Sequence, residues 1–261
     1  MQVETAKVSS KRIYQHPAGS LSTYTHRLDW AVYKYGTASE QHQARAERSG
    51  AERSGSGYQH LHYMNVRGCR HWEMALRHGL GAKGVEPNVL SMTTVLDERW
   101  HFPARHWRFD LEQITDHVKQ AFEGLDYLFL IEFAPITFHG YRIIAPHLQG
   151  LLWPMSRSQA ADVTSHFTGG LAGAPALMRL PVYDLPGAMR YNVKVIDRGY
   201  TYGVTRLGKP IRRRRQLYLT EVYHLWRHLH HFTYPEMTIA GGLGEEVVQG
   251  ALDRLDRMWG R

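Results

Sequence analysis

An α+β fold, with helices laid against a largely antiparallel sheet, is predicted by three observations. Apolar runs of strand length occur next to patterns of helical period. Two of the strands follow each other directly, which a strict strand–helix alternation would not allow. The composition, 43% hydrophobic over 261 residues, suffices for one full domain with appendages or two small ones.

The elements are read in order. Residues 1–86 form an N-terminal extension, in which 28–35 reads as a short strand or helix. Residues 36–57 turn to Gln, Ala, Glu, Arg, Ser and Gly, with AERSG repeated back to back, too few large apolar side chains to pack a core; they read as a flexible linker. Residues 72–80 have helical spacing that stops at Gly81 and Gly84. A core domain is placed at 87–205. It starts with NVLSMTTVL at 88–96, an alternating run rich in β-formers and hence a strand. Residues 110–124 carry Leu111, Ile114, Val118, Ala121 and Phe122 at helical spacing, with an acidic start and a terminal glycine. YLFLIEF at 127–133 and YRIIAPHLQGLLW at 141–153 read as central strands. A helix capped by a serine is expected at 156–167, a strand at 178–183 and a short helix at 187–196. Residues 206–261 read as a basic, His- and aromatic-rich helical segment.

Net charge is +8, the sequence pI is about 9.6, and there are 17 histidines. That balance favours a polyanionic partner, and Arg212, Arg213, Arg214 and Arg215 form the densest cluster for contacting backbone phosphates. The single cysteine, Cys69, excludes an internal disulfide and a Cys-based zinc cluster, and reads as a buried small apolar residue. No segment reaches the ~18 apolar residues of a membrane span. The first residues, MQVETAKVSSKRIYQHP, lack the apolar stretch and cleavage site of a secretory signal, so a soluble cytoplasmic protein without a membrane partner is expected.

Three features within the core domain carry chemistry in combination. In His147-Leu148-Gln149 the outer two side chains share one face of a strand. Glu132 lies in the preceding apolar strand, where an unpaired carboxylate would be costly. If the two strands pair as a hairpin, an acid, an imidazole and an amide oxygen meet on one face, a donor set suited to Mg²⁺ or Mn²⁺. In Tyr191-Asn192-Val193-Lys194, residues three apart share a face of a helix, which brings the Lys194 ammonium to the Tyr191 phenol. A free tyrosine is only about 0.1% ionised at pH 7, so a nucleophilic role needs such help. Each feature also has a plainer structural role, as a satisfied core histidine, a packed tyrosine or a solvated lysine.

YLFLIEF followed by APHLQGLLW resembles the Glu-bearing strand and the metal motif of the HUH endonuclease superfamily. The resemblance is to the replication initiators of circular single-stranded DNA viruses and related plasmids; YNVK resembles their Tyr-x-x-Lys nucleophile motif. LSMTTV sits where the family has its first motif, so the resemblance implies that Thr93 and Thr94 help shape the DNA site. It covers residues 88–194 and implies a ferredoxin-like nuclease domain, a divalent metal, and nicking through a 5′-phosphotyrosine link at a replication origin presented as single-stranded or hairpin DNA. His147-x-Gln149 stands where most bacterial members have His-x-His, and Val195 in place of a second tyrosine argues for the single-tyrosine type. No Gly-x4-Gly-Lys-Ser/Thr loop occurs, so unwinding is expected from a host helicase.

The same chemistry serves relaxases and single-strand transposases, and a ferredoxin-like fold also carries binders of nucleic acid without catalysis. His60-Leu61-His62 is a literal His-x-His, but no acid-bearing apolar strand precedes it, and a structural role is favoured. His139, in the turn between the two strands, reads as a surface residue or an extra ligand; His224, His228, His230 and His231 read as part of an aromatic helix face.

Overall fold

The computed structural model describes residues 20–49, 61–82, 90–95, 100–104, 106–167, 177–204 and 210–258. In chain order the elements are α1 (Ser20–Tyr35), α2 (Ala38–Ser49), α3 (Val66–Ala82), β1 (Leu90–Val95), β2 (Phe102–Pro103), α4 (Leu111–Ala121), β3 (Tyr127–Phe138), β4 (Tyr141–Leu152), α5 (Arg157–Ser165), β5 (Leu177–Pro181), α6 (Leu185–Asn192), β6 (Arg198–Val204), β7 (Pro210–Gln216), α7 (Leu219–Leu229), β8 (Thr238–Gly241) and α8 (Leu243–Met258).

The two apolar runs make the centre of the sheet. β3 and β4 pair antiparallel along their whole length, and β3 is buried from Tyr127 through Ile136. Their connection is a two-residue turn in which His139 (φ 47°) and Gly140 (φ 82°) are both left-handed, the mirror-image turn whose twist matches that of the strands. At the other end of the hairpin, Gly150 permits a close approach that any side chain would prevent: a Cβ there would meet the Leu128 carbonyl oxygen at 2.0 Å. The outer edge of β4 pairs with β1 and, beyond a gap, with β2; β1 in turn pairs with β5. The outer edge of β3 is divided. β8 pairs antiparallel with Tyr127 through Leu130, and β6 pairs parallel with Ile136 through Phe138, carrying β7 beyond it. The result is an α+β architecture with a mixed, mostly antiparallel sheet in the order β5-β1-β4-β3-β6-β7, flanked by helices.

Capping fixes the helices that flank the central strands. Asp110 accepts from the Gln113 backbone N–H at 3.0 Å at the start of α4, whose buried stripe is Ile114, Val118 and Ala121. Ser156 and Gln159 form a reciprocal capping box on α5. Asp184 caps α6 by accepting from the Gly187 N–H at 2.9 Å. α8 packs along α3 and reaches β3 and β8, and α6 lies against α3 and β4.

The structure departs from the sequence expectations in two places, residues 38–49 and 206–261. Residues 38–49, expected as linker, form α2; Ala, Glu, Gln and Arg are strong helix formers, and intrinsic propensity sufficed where apolar patterning was missing. The 28–35 segment, read as a short strand or helix, is helical and forms the second half of α1. The 206–261 segment, expected as helical, also contributes β7 and β8 to the sheet. A run of four arginines has no alternation to reveal a strand, and β8 is only four residues long. No helix among the described residues is long and apolar enough to cross a membrane.

Cys69 lies in α3, buried, and its thiol donates to the carbonyl of Val193 at 3.2 Å. Burial pushes its pKa up to about 12. A thiolate-specific reagent is therefore expected to leave Cys69 unmodified in the native chain at pH 8 and to react fully once denaturant is added. Stoichiometric labelling of the native chain, followed by mass, would contradict this placement.

Candidate active site

The register of the central hairpin brings the first two groups together. Glu132 on β3 pairs with His147 on β4, and Leu130 pairs with Gln149, so His147 and Gln149 are successive residues on the face that carries Glu132. Leu148, between them, points to the opposite face and is fully buried. Glu132 and Gln149 are themselves buried, at 8% and 1% exposure.

Lys194 reaches this face from another element. Tyr191 is in the last turn of α6, and Val193 leaves the helix (φ −101°, ψ 89°) while its N–H still bonds to Met189. Lys194 therefore lies beyond the helix end. The expectation that Tyr191 and Lys194 share one helical face is corrected, because the chain turns between them, yet the two still meet: Nζ of Lys194 sits over the Tyr191 ring, 3.8 Å from its centre. The same ammonium is 3.0 Å from Oε2 of Glu132 and 3.1 Å from Oε1 of Gln149. Nε2 of His147 approaches Oε2 of Glu132 at 3.3 Å. Both approaches to Oε2 are of ion-pair length but lack the direction of a hydrogen bond.

Charge explains why this cluster is tolerated inside the protein. Burial pushes the Glu132 carboxyl up, but Lys194 and then His147 pull it down further, and it is held at about 2. Burial likewise works against the Lys194 ammonium, and the Glu132 carboxylate outweighs it, raising its pKa above that of an ordinary lysine. Acid and ammonium are thus both charged across the whole working range of pH.

The cluster opens into a cleft of about 300 Å³ lined by Glu132, Tyr191, Lys194, Tyr200, Arg212 and Arg214, among others. Tyr200 on β6 is a second phenol in this cleft. Burial, and then the Glu132 charge, raise its pKa, so it stays protonated, while the Arg212 guanidinium covers its ring at 4.3 Å. Asp197, Arg198 and Tyr200 were not singled out from the sequence; the alternation in RGYTYGV on β6 was the available signal.

The remaining candidates separate. By backbone register Thr93 lies opposite Gln149 and Thr94 opposite Leu148. Of the four arginines, Arg212 and Arg214 line the cleft, and Arg213 alternates to the other face of β7 and is exposed. Arg215 is held elsewhere, in a bidentate pair with the buried Glu221 at 2.6 and 2.7 Å and a bond to Thr137 at 3.3 Å. His139 is exposed in the hairpin turn, roughly 23 Å of strand away from Glu132. His60 falls outside the described residues, and His62 bridges its backbone to Thr233. His228 stacks on Trp107 at 4.6 Å, and His230 stacks on Trp226 while contacting Glu47 at 3.0 Å. His224 lies next to Tyr223, and His231 packs on Phe232 at 4.2 Å.

Among the described residues no group of three or more His, Cys, Asp or Glu side chains is placed to hold a metal ion. Glu132, His147 and Gln149 offer two oxygens and one imidazole nitrogen, donors of the kind that small hard cations take. Two of them, Glu132 and Gln149, here contact the Lys194 ammonium. No family model matches the chain, and neither a curated protein nor a solved structure matches it.

Proposed function

We propose that this chain is a metal-dependent, single-tyrosine DNA-nicking enzyme of the HUH endonuclease type, built on a ferredoxin-like core, that initiates rolling-circle replication of a small circular replicon. One observation carries the reading. A phenol, an ammonium, a carboxylate, an imidazole and an amide oxygen from three separate stretches of chain are gathered beside a basic cleft, which Glu132, Tyr191 and Lys194 line. The net charge of +8 supports a polyanionic partner, single-stranded or hairpin DNA at the origin. Unwinding would come from a host helicase.

In the proposed reaction, Oη of Tyr191 attacks the phosphorus of a phosphodiester. The phenolic oxygen–phosphorus bond forms as the bond to the 3′ oxygen breaks. The phenol's proton is finally carried by the departing 3′-hydroxyl, and the 5′ phosphate stays on the tyrosine. Bond energy is conserved, so the reverse step can rejoin the strand. Lys194 over the Tyr191 ring stabilises negative charge on the phenol as it deprotonates, and Arg212 and Arg214 bind the phosphates on either side. Glu132, His147 and Gln149 are the residues that would hold Mg²⁺ or Mn²⁺, which when bound polarises the phosphate.

The donor set fits such an ion in chemistry and in the lack of an aligned hydrogen bond at Oε2 of Glu132. Lys194, however, already contacts two of the three donors, so ammonium and metal compete for them. Lys194→Met is expected to bind Mn²⁺ at least about tenfold more tightly than the unaltered chain, since a full positive charge a few ångströms away is removed. Paramagnetic resonance of bound Mn²⁺ reads this directly. Equal or weaker binding contradicts the competition.

The ion pair also supports a second reading. Lys194 neutralises Glu132 without any metal, as a non-catalytic nucleic-acid binder would need. One experiment separates the two: the chain is mixed with a pool of random single-stranded oligonucleotides, with Mn²⁺ or with chelator. A denaturation-resistant adduct that requires the metal supports nicking, and sequencing it reveals the site. DNA binding that ignores the chelator and leaves no adduct supports the binder.

A further inference from the structure

A second cavity, of about 420 Å³, lies among the helices and shares no lining residue with the cleft at Tyr191. Its volume is in the range of sites that take small molecules. α1 and α2 contribute to it from one side, α3 from another, and α7 adds Trp226. Met64 and Trp226, each 1% exposed, are its most buried lining residues, whereas Met74 on α3 is 47% exposed. The polar atoms among these apolar side chains are already used. The indole N–H of Trp226 donates to Glu47 at 3.2 Å, and the Tyr24 hydroxyl donates to the Met64 sulfur at 3.6 Å. What remains for an occupant is apolar surface, to which Leu28 adds.

The charges around the cavity are not balanced. Arg67 and Arg70 lie one turn apart on α3, both are exposed, and neither guanidinium forms an ion pair or a hydrogen bond among the described residues. The acids that line the cavity, Asp29 and Glu47, are both engaged within the protein, Glu47 by Trp226 and by His230 at 3.0 Å. Two guanidiniums a turn apart suit a carboxylate or a phosphate, which paired N–H donors grip. Two thioethers and an indole suit a flat aromatic ring. A cation is repelled by the arginines, and a neutral ring leaves them without a counter-charge. We propose that this cavity binds a small aromatic anion, a flat ring bearing a carboxylate or a phosphate group. The ring lies against Leu28, Met64 and Met74, and the anionic group sits between Arg67 and Arg70. The site stands whether or not Tyr191 is a nucleophile.

The test uses the full chain with ¹³C in its methionine methyl groups, titrated with naphthoate, naphthyl phosphate and neutral naphthol while the methyl resonances are followed. Chains carrying Met64→Leu or Met74→Leu identify the two signals. Both anions are expected to shift these two signals saturably and to bind at least about tenfold more tightly than naphthol, the worth of one charge-assisted hydrogen bond. The tighter anion tells whether the natural ligand carries a carboxylate or a phosphate. A chain with both Arg67→Gln and Arg70→Gln should bind the anions no better than naphthol. Both side chains are exposed, so its fold is retained, which circular dichroism checks. Naphthol binding as tightly as the anions, anion binding unchanged in the double variant, or shifts that never saturate would each overturn the site. A single-stranded oligonucleotide that displaces the anion at equimolar concentration would assign the two arginines to nucleic acid and overturn it as well.

Discussion

A Tyr191→Phe chain mixed with single-stranded DNA and Mn²⁺ is expected to bind the DNA and yield no adduct that survives denaturation. The substitution removes one oxygen and leaves the ring that Lys194 covers at 3.8 Å, so folding should lose no more than the net worth of one hydrogen bond, about 1.5 kcal/mol. Cleavage should fall by at least about 10³, because no other group in the cleft can form the covalent link at comparable rate. Tyr200 is the one alternative phenol among the residues lining the cleft, and its raised pKa and its arginine cover disfavour it. A Tyr200→Phe chain should accordingly keep its adduct. An adduct that persists in Tyr191→Phe and disappears in Tyr200→Phe would exchange their roles, and one that persists in both would remove the tyrosine mechanism altogether.

Breaking the Glu132–Lys194 pair should give the largest loss of stability. Glu132→Gln leaves a buried ammonium, and Lys194→Met a buried carboxylate, each without its counter-charge. Removing one partner of such a pair costs about 3–5 kcal/mol, which for a domain of this size lowers Tm by on the order of 10 °C. The double variant Glu132→Gln, Lys194→Met should be more stable than either single one, since neither charge remains to be satisfied. Calorimetry of the four chains measures this, and additive losses would show that the two groups are not coupled. The pH dependence has a definite sign. Because the folded Glu132 is held at about 2, below its ordinary value of 4.5, the stability it confers is fully present above pH 4.5 and is lost as pH falls towards 2. The gap between the unaltered chain and Lys194→Met should therefore be widest near neutrality and narrow in acid.

How much of this could be read beforehand depended on how much each element owed to its own residues. The central hairpin was legible because apolar side chains occur on both faces of β3 and because Gly140 closes a turn. Glu132 and His147 could then be matched, since their separation from the turn fixes the register. α2 was not, because its helix rests on propensity and only Ala44 is buried within its described part. β7 was invisible for the opposite reason: it is a strand by its pairing with β6, and its arginines show no apolar period. The contact of Lys194 with Gln149 depends on the turn after α6 and on the thiol of Cys69 reaching Val193, neither of which residue spacing encodes.

The division of labour between hairpin and helix end also fixes an order of events during synthesis. Glu132, His147 and Gln149 lie within one hairpin closed by a two-residue turn, whereas Lys194 is 45 residues beyond Gln149. In a chain emerging from its N-terminus, the three donors can be in register before their ammonium has been made. Throughout that interval only His147 opposes the effect of burial on Glu132, and the stronger pull of Lys194 is missing. The arrival of residue 194 adds the ammonium that holds the carboxylate ionised, so the buried ion pair is completed only by the element that carries Tyr191.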